Sequence, residues 1–282
     1  MHFEESINFL EKYEYHEKEF HGTSLQHNIL SYIWQGDYSS RIKERLIKGN
    51  TKVIDLGCGT GQWLIDMSSK YPLSTFIGID ISSRLFPSQE IKPNNVAFLQ
   101  YNLLDHPGIP FPNETFDFVY LRCLSMTFEE KDWAHVINEI VRVTDLNGCV
   151  EFMDFVCEGD IKGPIMNHLC SSLLSFLESK NIKPPSTTKL TEYLNQTNQI
   201  SNIQLEVKSC PLGSWGGKLG ELMLSDFITV FQRFKSILVP FMKISEKEYD
   251  KLLIEFDNEC VRYQLCCYTY RLYGNKTTYN LG

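Results

Sequence analysis

Hydrophobic and polar positions divide the chain into three stretches. From residue 1 to 50 apolar side chains recur three and four positions apart, as at Ile7, Leu10 and Tyr13 and again at Leu30, Ile33 and Trp34, a spacing that predicts helices. From 51 to about 154 the pattern changes to short apolar runs, KVIDL, TFIGID, VAFLQ, FDFVYL and CVEFMD, separated by helix-sized or turn-rich segments. Such runs alternating with crossovers predict an α/β fold, a parallel sheet with helices on both faces.

Beyond residue 155 the rhythm loosens. A helical pattern over 161–179 is broken by Pro184 and Pro185, a short helix is expected at 189–195, and IQLEVKSC alternates like a strand. PLGSWGGKLG, 211–220, holds four glycines and reads as loop or turn. A helical region follows at 221–238. Ser245 with Glu248 three residues later is a capping-box signature, starting a helix that runs to about Val261. CCYTYRLYG, 266–274, is β-branched and aromatic enough for a final strand.

At 282 residues the chain suits one elaborated domain or two, and 43% hydrophobic residues supply a large core. A net charge of −8, without a long run of Lys or Arg, argues against nucleic acid and against an anionic membrane as partners. Nine cysteines without a Cys-x-x-Cys pair read as a reducing compartment, with neither a disulfide framework nor a metal site. No apolar stretch of about 18 residues and no signal-like N-terminus are seen, so the expected location is cytoplasmic, with a nuclear one as the alternative.

The chemistry gathers at VIDLGCGTGQW, 53–63. A glycine-rich turn between a strand and a helix invites a dinucleotide reading, but that motif needs Gly-x-Gly-x-x-Gly, and the third glycine here stands at 61 instead of 62. Asp55, two residues before Gly57, would repel a pyrophosphate, whereas a ligand carrying cationic groups would be attracted to it.

VIDLGCGTGQW resembles the first motif of the class I S-adenosylmethionine-dependent methyltransferases, and FIGIDIS, 76–82, their second. NLLDHPGIPFPNETFDFVYLRCL, 102–124, is similar to the family's third- and fourth-strand stretch. EIVRVTDLNGCVEFMD, 139–154, is similar to its approach to strand five, with Leu146-Asn147-Gly148 in place of the usual Pro-Gly-Gly turn. The flanks LQHNILSYIWQGDY and GSWGGKLGELM look, more loosely, like those of a fungal branch of small-molecule methyltransferases. The resemblance implies a Rossmann-like seven-stranded, mostly parallel sheet whose last strand is antiparallel, with added N-terminal helices and a helical cap insertion. It implies one methyltransferase domain over 1–282: an N-terminal helical lid at 1–50, a cofactor-binding core at 51–155, and substrate or cap helices at 156–265. Strand six falls near 203–209 within the cap stretch, and a final strand at 266–274.

The cofactor implied is S-adenosylmethionine, leaving S-adenosylhomocysteine as product. The resemblance places Asp55, Gly57, Gly59 and Gly61 at its amino-acid end, Asp80 at its ribose hydroxyls, Asn102 at its adenine and the backbone of Leu121 along the pocket, and it counts Cys58, Ile81 and Leu103 among the cofactor-binding residues. Asp80 lies 23 residues after Gly57, close to the spacing of about 20 expected across one βαβ unit. Gln26, Tyr32 and Trp34 are candidates for a lid, or for packing. Glu151, Asp154, His27 and His168 are candidates for a general base, the two carboxylates being better placed near the carboxyl end of strand five. The reaction implied is in-line displacement of the methyl group onto a small-molecule acceptor, which depends on alignment more than on a base. A non-catalytic cofactor-binding regulator or scaffold, and a protein methyltransferase, are the competing readings. No obligate protein partner is evident.

Overall fold

The computed structural model describes residues 17–156 and 163–277, with side chains from Leu25 onward. The start of the expected N-terminal helical stretch, residues 1–16, and the first residues of the helix expected from 161 lie outside the described residues. The chain divides into a sheet-containing unit, residues 31–157, 184–208 and 268–282, and a helical unit, residues 1–30, 158–183 and 209–267.

Seven strands form one sheet: β1 Lys52–Leu56, β2 Thr75–Asp80, β3 Val96–Gln100, β4 Phe116–Arg122, β5 Thr144–Phe155, β6 Ile200–Pro211 and β7 Cys266–Lys276, in the order β3-β2-β1-β4-β5-β7-β6. β1 pairs in parallel with β2 and β4, β2 with β3, and β4 with β5, while β7 lies antiparallel on β5 with Glu151 opposite Tyr273. β2 and β3 step outward from β1 on one side, and β5 follows β4 on the other, with β7 inserted between β5 and β6. The order therefore reverses between β1 and β4, and an open α/β sheet of this kind presents its ligand crevice beyond the carboxyl ends of those two strands.

The sheet's apolar runs are consumed in its interior. Ile54, Leu56, Val119, Leu121, Val150 and Phe152 face a core closed by Val136, Ile137, Ile140 and Val141 of α4, Trp133–Val143. The opposite face stacks Trp63 on Tyr120, with ring centroids 4.1 Å apart, while the Trp63 indole donates to the carbonyl of Asp37. Trp63 belongs to α3, Gln62–Lys70, and its role is packing. The Leu146-Asn147-Gly148 stretch falls within β5: Thr144 pairs with Phe116, and Cys149 with Phe118, so the intervening residues bulge out of the ladder.

Residues leading into the sheet are fastened from beneath. In α1, Glu17–Trp34, the Trp34 indole donates to Thr269 and stacks under the guanidinium of Arg271 at 4.7 Å. Arg271 donates to the carbonyl of Gly36 and pairs with Glu151, whose carboxylate accepts the amides of Ser39 and Ser40 and the Ser40 hydroxyl. α2, Lys43–Lys48, follows. Of the lid candidates in this unit, Trp34 is buried and Tyr32 is exposed.

The helical unit holds α1 as far as Leu30, α5, Pro164–Glu178, α7 Gly217–Arg233, α8 Lys235–Met242 and α9 Glu246–Tyr263, while α6, Thr187–Gln196, belongs to the other unit. Leu169, Leu173, Met223, Phe231, Leu253 and Phe256 are buried within the helical unit, and Tyr249 donates its hydroxyl to the Phe231 carbonyl. The capping box at Ser245 and Glu248 forms as the spacing predicts.

Two expectations need correction. The four-glycine stretch is not loop throughout: β6 runs to Pro211 and α7 starts at Gly217. A Cβ on Gly220 would lie 2.0 Å from the carbonyl oxygen of Gly213, so this glycine serves a close backbone approach inside a helix. The helix expected over 221–238 is instead two, divided at Phe234. Among the described residues, no helix is long and apolar enough to cross a membrane, and no cluster of three His, Cys, Asp or Glu is placed to hold a metal ion.

Candidate functional site

The loop that leaves β1 folds back on the end of β2. The amides of Gly57 and Cys58 both donate to the carbonyl of Ile79, at 2.8 and 2.9 Å, and that of Gly61 returns to the Cys58 carbonyl before α3 begins. All three glycines have positive φ, of 75°, 54° and 68°. They differ in what surrounds them. A Cβ on Gly57 would meet Leu124 at 2.6 Å and one on Gly61 would meet the ring of Phe98 at 2.4 Å, whereas one on Gly59 would have nothing within 4 Å. Gly57 and Gly61 thus let the loop press against its supports, and Gly59 carries its backbone along an open face.

Asp80 ends β2 and joins it to that face. Its Oδ2 accepts the amide of Gly59 at 2.8 Å, and its Oδ1 that of Ser82 at 3.0 Å. Burial raises its pKa, opposed by hydrogen bonds from the backbone of Ser82, Gly59 and Ile81. Asp55, 3% exposed, lies within the field of Asp80 and of Arg122. Burial pushes its carboxyl up to about 7, Asp80 adds to the rise, and Arg122 opposes it. The Cys58 thiol is raised far above its usual range by burial and by these two acids, so it stays protonated and is a small apolar filler, not a nucleophile.

Asn102 follows β3, and its Oδ1 accepts the amide of Leu104 at 3.0 Å, leaving the side-chain NH2 and a second lone pair for other partners. Leu103 is buried in the core beside the sheet. Ile81 is half-buried, and its carbonyl accepts from Gln100. Leu121 buries its side chain opposite Leu56 and Phe152, so only its backbone can line a pocket. Asp55, Gly57, Cys58, Gly59, Gly61, Asp80, Ile81, Asn102, Leu103 and Leu121 all lie in the sheet-containing unit, at the carboxyl ends of β1 to β4.

The general-base candidates have other positions. Glu151 is fully buried, and its oxygens are taken by Ser39, Ser40 and Arg271, which leaves no face for a substrate proton. Asp154 accepts the amides of Ser125 and Phe155 and so holds the turn after β4, in which Cys123 has a left-handed φ of 55°. Leu124 in that turn is the side chain that backs Gly57. His27 is buried in the helical unit, and His168 is exposed on α5. Leu124 and Phe98 escape sequence reasoning because each acts through a contact with a distant loop glycine and neither carries a local signature, whereas Arg122, which the sequence offers as either an ion-pair partner or a substrate contact, lies within the field of Asp55.

Residues 53–148 match the family model described as a methyltransferase domain. The chain is 28% identical over 119 residues to N-methyltransferase verN of Clonostachys rogersoniana, covering 42% of this chain and 41% of that protein. It is 23% identical over 165 residues to methyltransferase str2 of Strobilurus tenacellus, covering 57% and 58%. The chain thus spans about half the length of the curated relatives it matches. A Haemonchus contortus phosphoethanolamine N-methyltransferase 2, solved with S-adenosyl-L-methionine, is similar in fold, with a TM-score of 0.54, 14% identity, and coverage of 96% of this chain and 60% of that one. Residues 53–148 belong to the class I S-adenosylmethionine-dependent methyltransferases. The residues present fit that cofactor: the Gly59 backbone is open on one side, its amide is held by the Asp80 carboxylate, and a second carboxylate, Asp55, lies within the field of Asp80.

Proposed function

From that premise we propose that the chain is an S-adenosylmethionine-dependent methyltransferase acting on a small-molecule acceptor. The observation that carries the reading is the junction of Gly59 and Asp80 at the switch point of the sheet, where an open glycine backbone meets an acid of fixed orientation. Asp80 would hold the ribose hydroxyls, Asp55 the cationic amino-acid end, and Asn102 and Leu103 the adenine edge and face. The bound cofactor supplies a methyl group already activated by a sulfonium centre.

The chain's own residues then have two tasks, to orient and to exclude water. Gly57 and Gly61 let Leu124 and Phe98 pack the loop rigidly, and a fixed loop lowers the orientational entropy lost when reactants are aligned, an effect worth up to roughly 7–11 kcal/mol in well-aligned intramolecular models. Because the sulfonium already activates the methyl group, a general base is needed only where the acceptor must lose its proton early, and Glu151, with its oxygens occupied by Ser39, Ser40 and Arg271, is not placed to take it. The fungal relatives named as methyltransferases and the acidic surface favour a small molecule over RNA.

The test is incubation of the full chain with methyl-labelled cofactor and a fractionated small-molecule extract. Label in a low-mass product supports the reading. Tight binding of S-adenosylhomocysteine with no transfer to any metabolite would favour a non-catalytic binding protein, and label on a polypeptide a protein methyltransferase.

A further inference from the structure

Buried carboxylates in this protein are well supplied with donors. Glu151 accepts from Ser39 and Ser40 and pairs with Arg271. Glu139 holds Arg142 and the amide of Ile109. In the helical unit Glu259, 5% exposed, accepts the amides of Ile165 and Met166 at 2.8 Å each, where α5 begins. These acids stabilise the fold by meeting hydrogen-bonding needs of the backbone.

Asp226 breaks this pattern. It sits in α7, is 6% exposed, and follows the buried Met223 and Leu224. The next residue, Phe227, stacks on Phe256 at 5.0 Å. Among the described residues its carboxylate has one hydrogen-bond donor, the neutral amide of Gln26 in α1, at a long 3.3 Å. Among the described residues it forms no ion pair, and Arg233 acts on it through its field. Burial pushes the Asp226 carboxyl up to about 6, which still leaves it ionised at neutral pH. A buried charge with a single weak donor is unfavourable, and such groups persist where a ligand completes them.

We infer that Asp226 and Gln26 form a binding site in the helical unit for the nitrogen of an organic amine with an apolar body. The carboxylate takes the ammonium or N–H donor directly. The Gln26 side chain contributes an amide oxygen to a second N–H, its NH2 being directed at Asp226. Amine binding at this site does not depend on the function proposed above.

The experiment titrates phenethylamine, and 2-phenylethanol as its uncharged counterpart, into the full chain saturated with S-adenosylhomocysteine. Binding of S-adenosylhomocysteine is measured separately, so failure of the cofactor reading is seen independently. Wild type is expected to bind the amine at least tenfold more tightly than the alcohol. Asp226→Asn should lose that preference while binding S-adenosylhomocysteine as wild type does. Without amine its melting temperature should be equal or higher, because a poorly satisfied charge is gone, whereas Glu259→Gln should melt lower. Gln26→Leu should weaken the amine several-fold. The inference is overturned if phenethylamine does not bind, if the alcohol binds equally, if Asp226→Asn keeps its amine affinity, or if that variant melts as low as Glu259→Gln.

Discussion

The amide of Gly59 lies 2.8 Å from Oδ2 of Asp80, although 21 residues separate them. One hydrogen bond thereby ties the loop after the first strand to the end of the second, and fixes both the glycine backbone and the acid before any ligand arrives. The same bond explains how a carboxylate can sit beside an open loop without a cation touching it: three backbone N–H groups, from Ser82, Gly59 and Ile81, oppose the effect of burial.

Replacing Asp80 by Ala should weaken S-adenosylhomocysteine by about 1–3 kcal/mol, the range for leaving buried polar partners unmet. Calorimetric titration checks this, and an unchanged affinity would remove Asp80 from the ribose position.

The three loop glycines should respond differently to Ala. At Gly59 the left-handed backbone costs about 1–2 kcal/mol and nothing is struck, so the fold survives while the methyl group intrudes on the open face and cofactor binding falls. At Gly57 the same backbone cost is joined by overlap with Leu124, worth a further ~1–3 kcal/mol. Thermal unfolding should rank Gly57→Ala below Gly59→Ala, and equal melting temperatures would contradict the packing described.

Asp55 gives a pH signature with a definite sign. Its carboxyl rises from 3.8 in an ordinary setting to about 7 in the fold, so between these values the folded state holds a proton that the unfolded chain has released. Its contribution to stability is therefore full near pH 4 and is lost as the pH climbs through 7. Affinity for the cationic end of the cofactor should move the opposite way, rising toward pH 7 as the acid ionises. Asp55→Asn should flatten both profiles, read by melting temperature and by S-adenosylhomocysteine titration. A wild-type stability that rises steadily from pH 5 to 7 and is unaltered by Asp55→Asn would refute this assignment.

Glu151→Gln should destabilise the fold by about 3–5 kcal/mol, because it strands Arg271 in a site where both partners are at most 2% exposed. Turnover corrected for the folded fraction should be unchanged, since Glu151 supports residues 36–40 and does not reach a substrate. A large loss of turnover in fully folded Glu151→Gln would restore it as a base.

Much of the architecture was determined locally. The apolar runs from 53 to 154 mark the five parallel strands, most plainly the central β1 and β4, which are covered on both faces and so are apolar nearly throughout, and the capping box at Ser245 follows from spacing alone. The glycine motif and Asp80 were legible for the same reason: the turn, the helix start and the βαβ crossover between them are all set by neighbours in the chain. Tertiary structure decided what each polar group in that frame is for. Glu151 and Asp226 have no local feature that tells them apart, yet one is met by two serines and an arginine from distant segments and the other by a single amide. Gly220, which reads as loop, lies inside a helix and is glycine because a side chain there would strike the Gly213 carbonyl, and Leu124 matters only because the fold brings it against Gly57. Sequence patterns report each residue's own backbone and polarity, whereas partnership depends on which remote atoms the packed core carries within hydrogen-bonding distance.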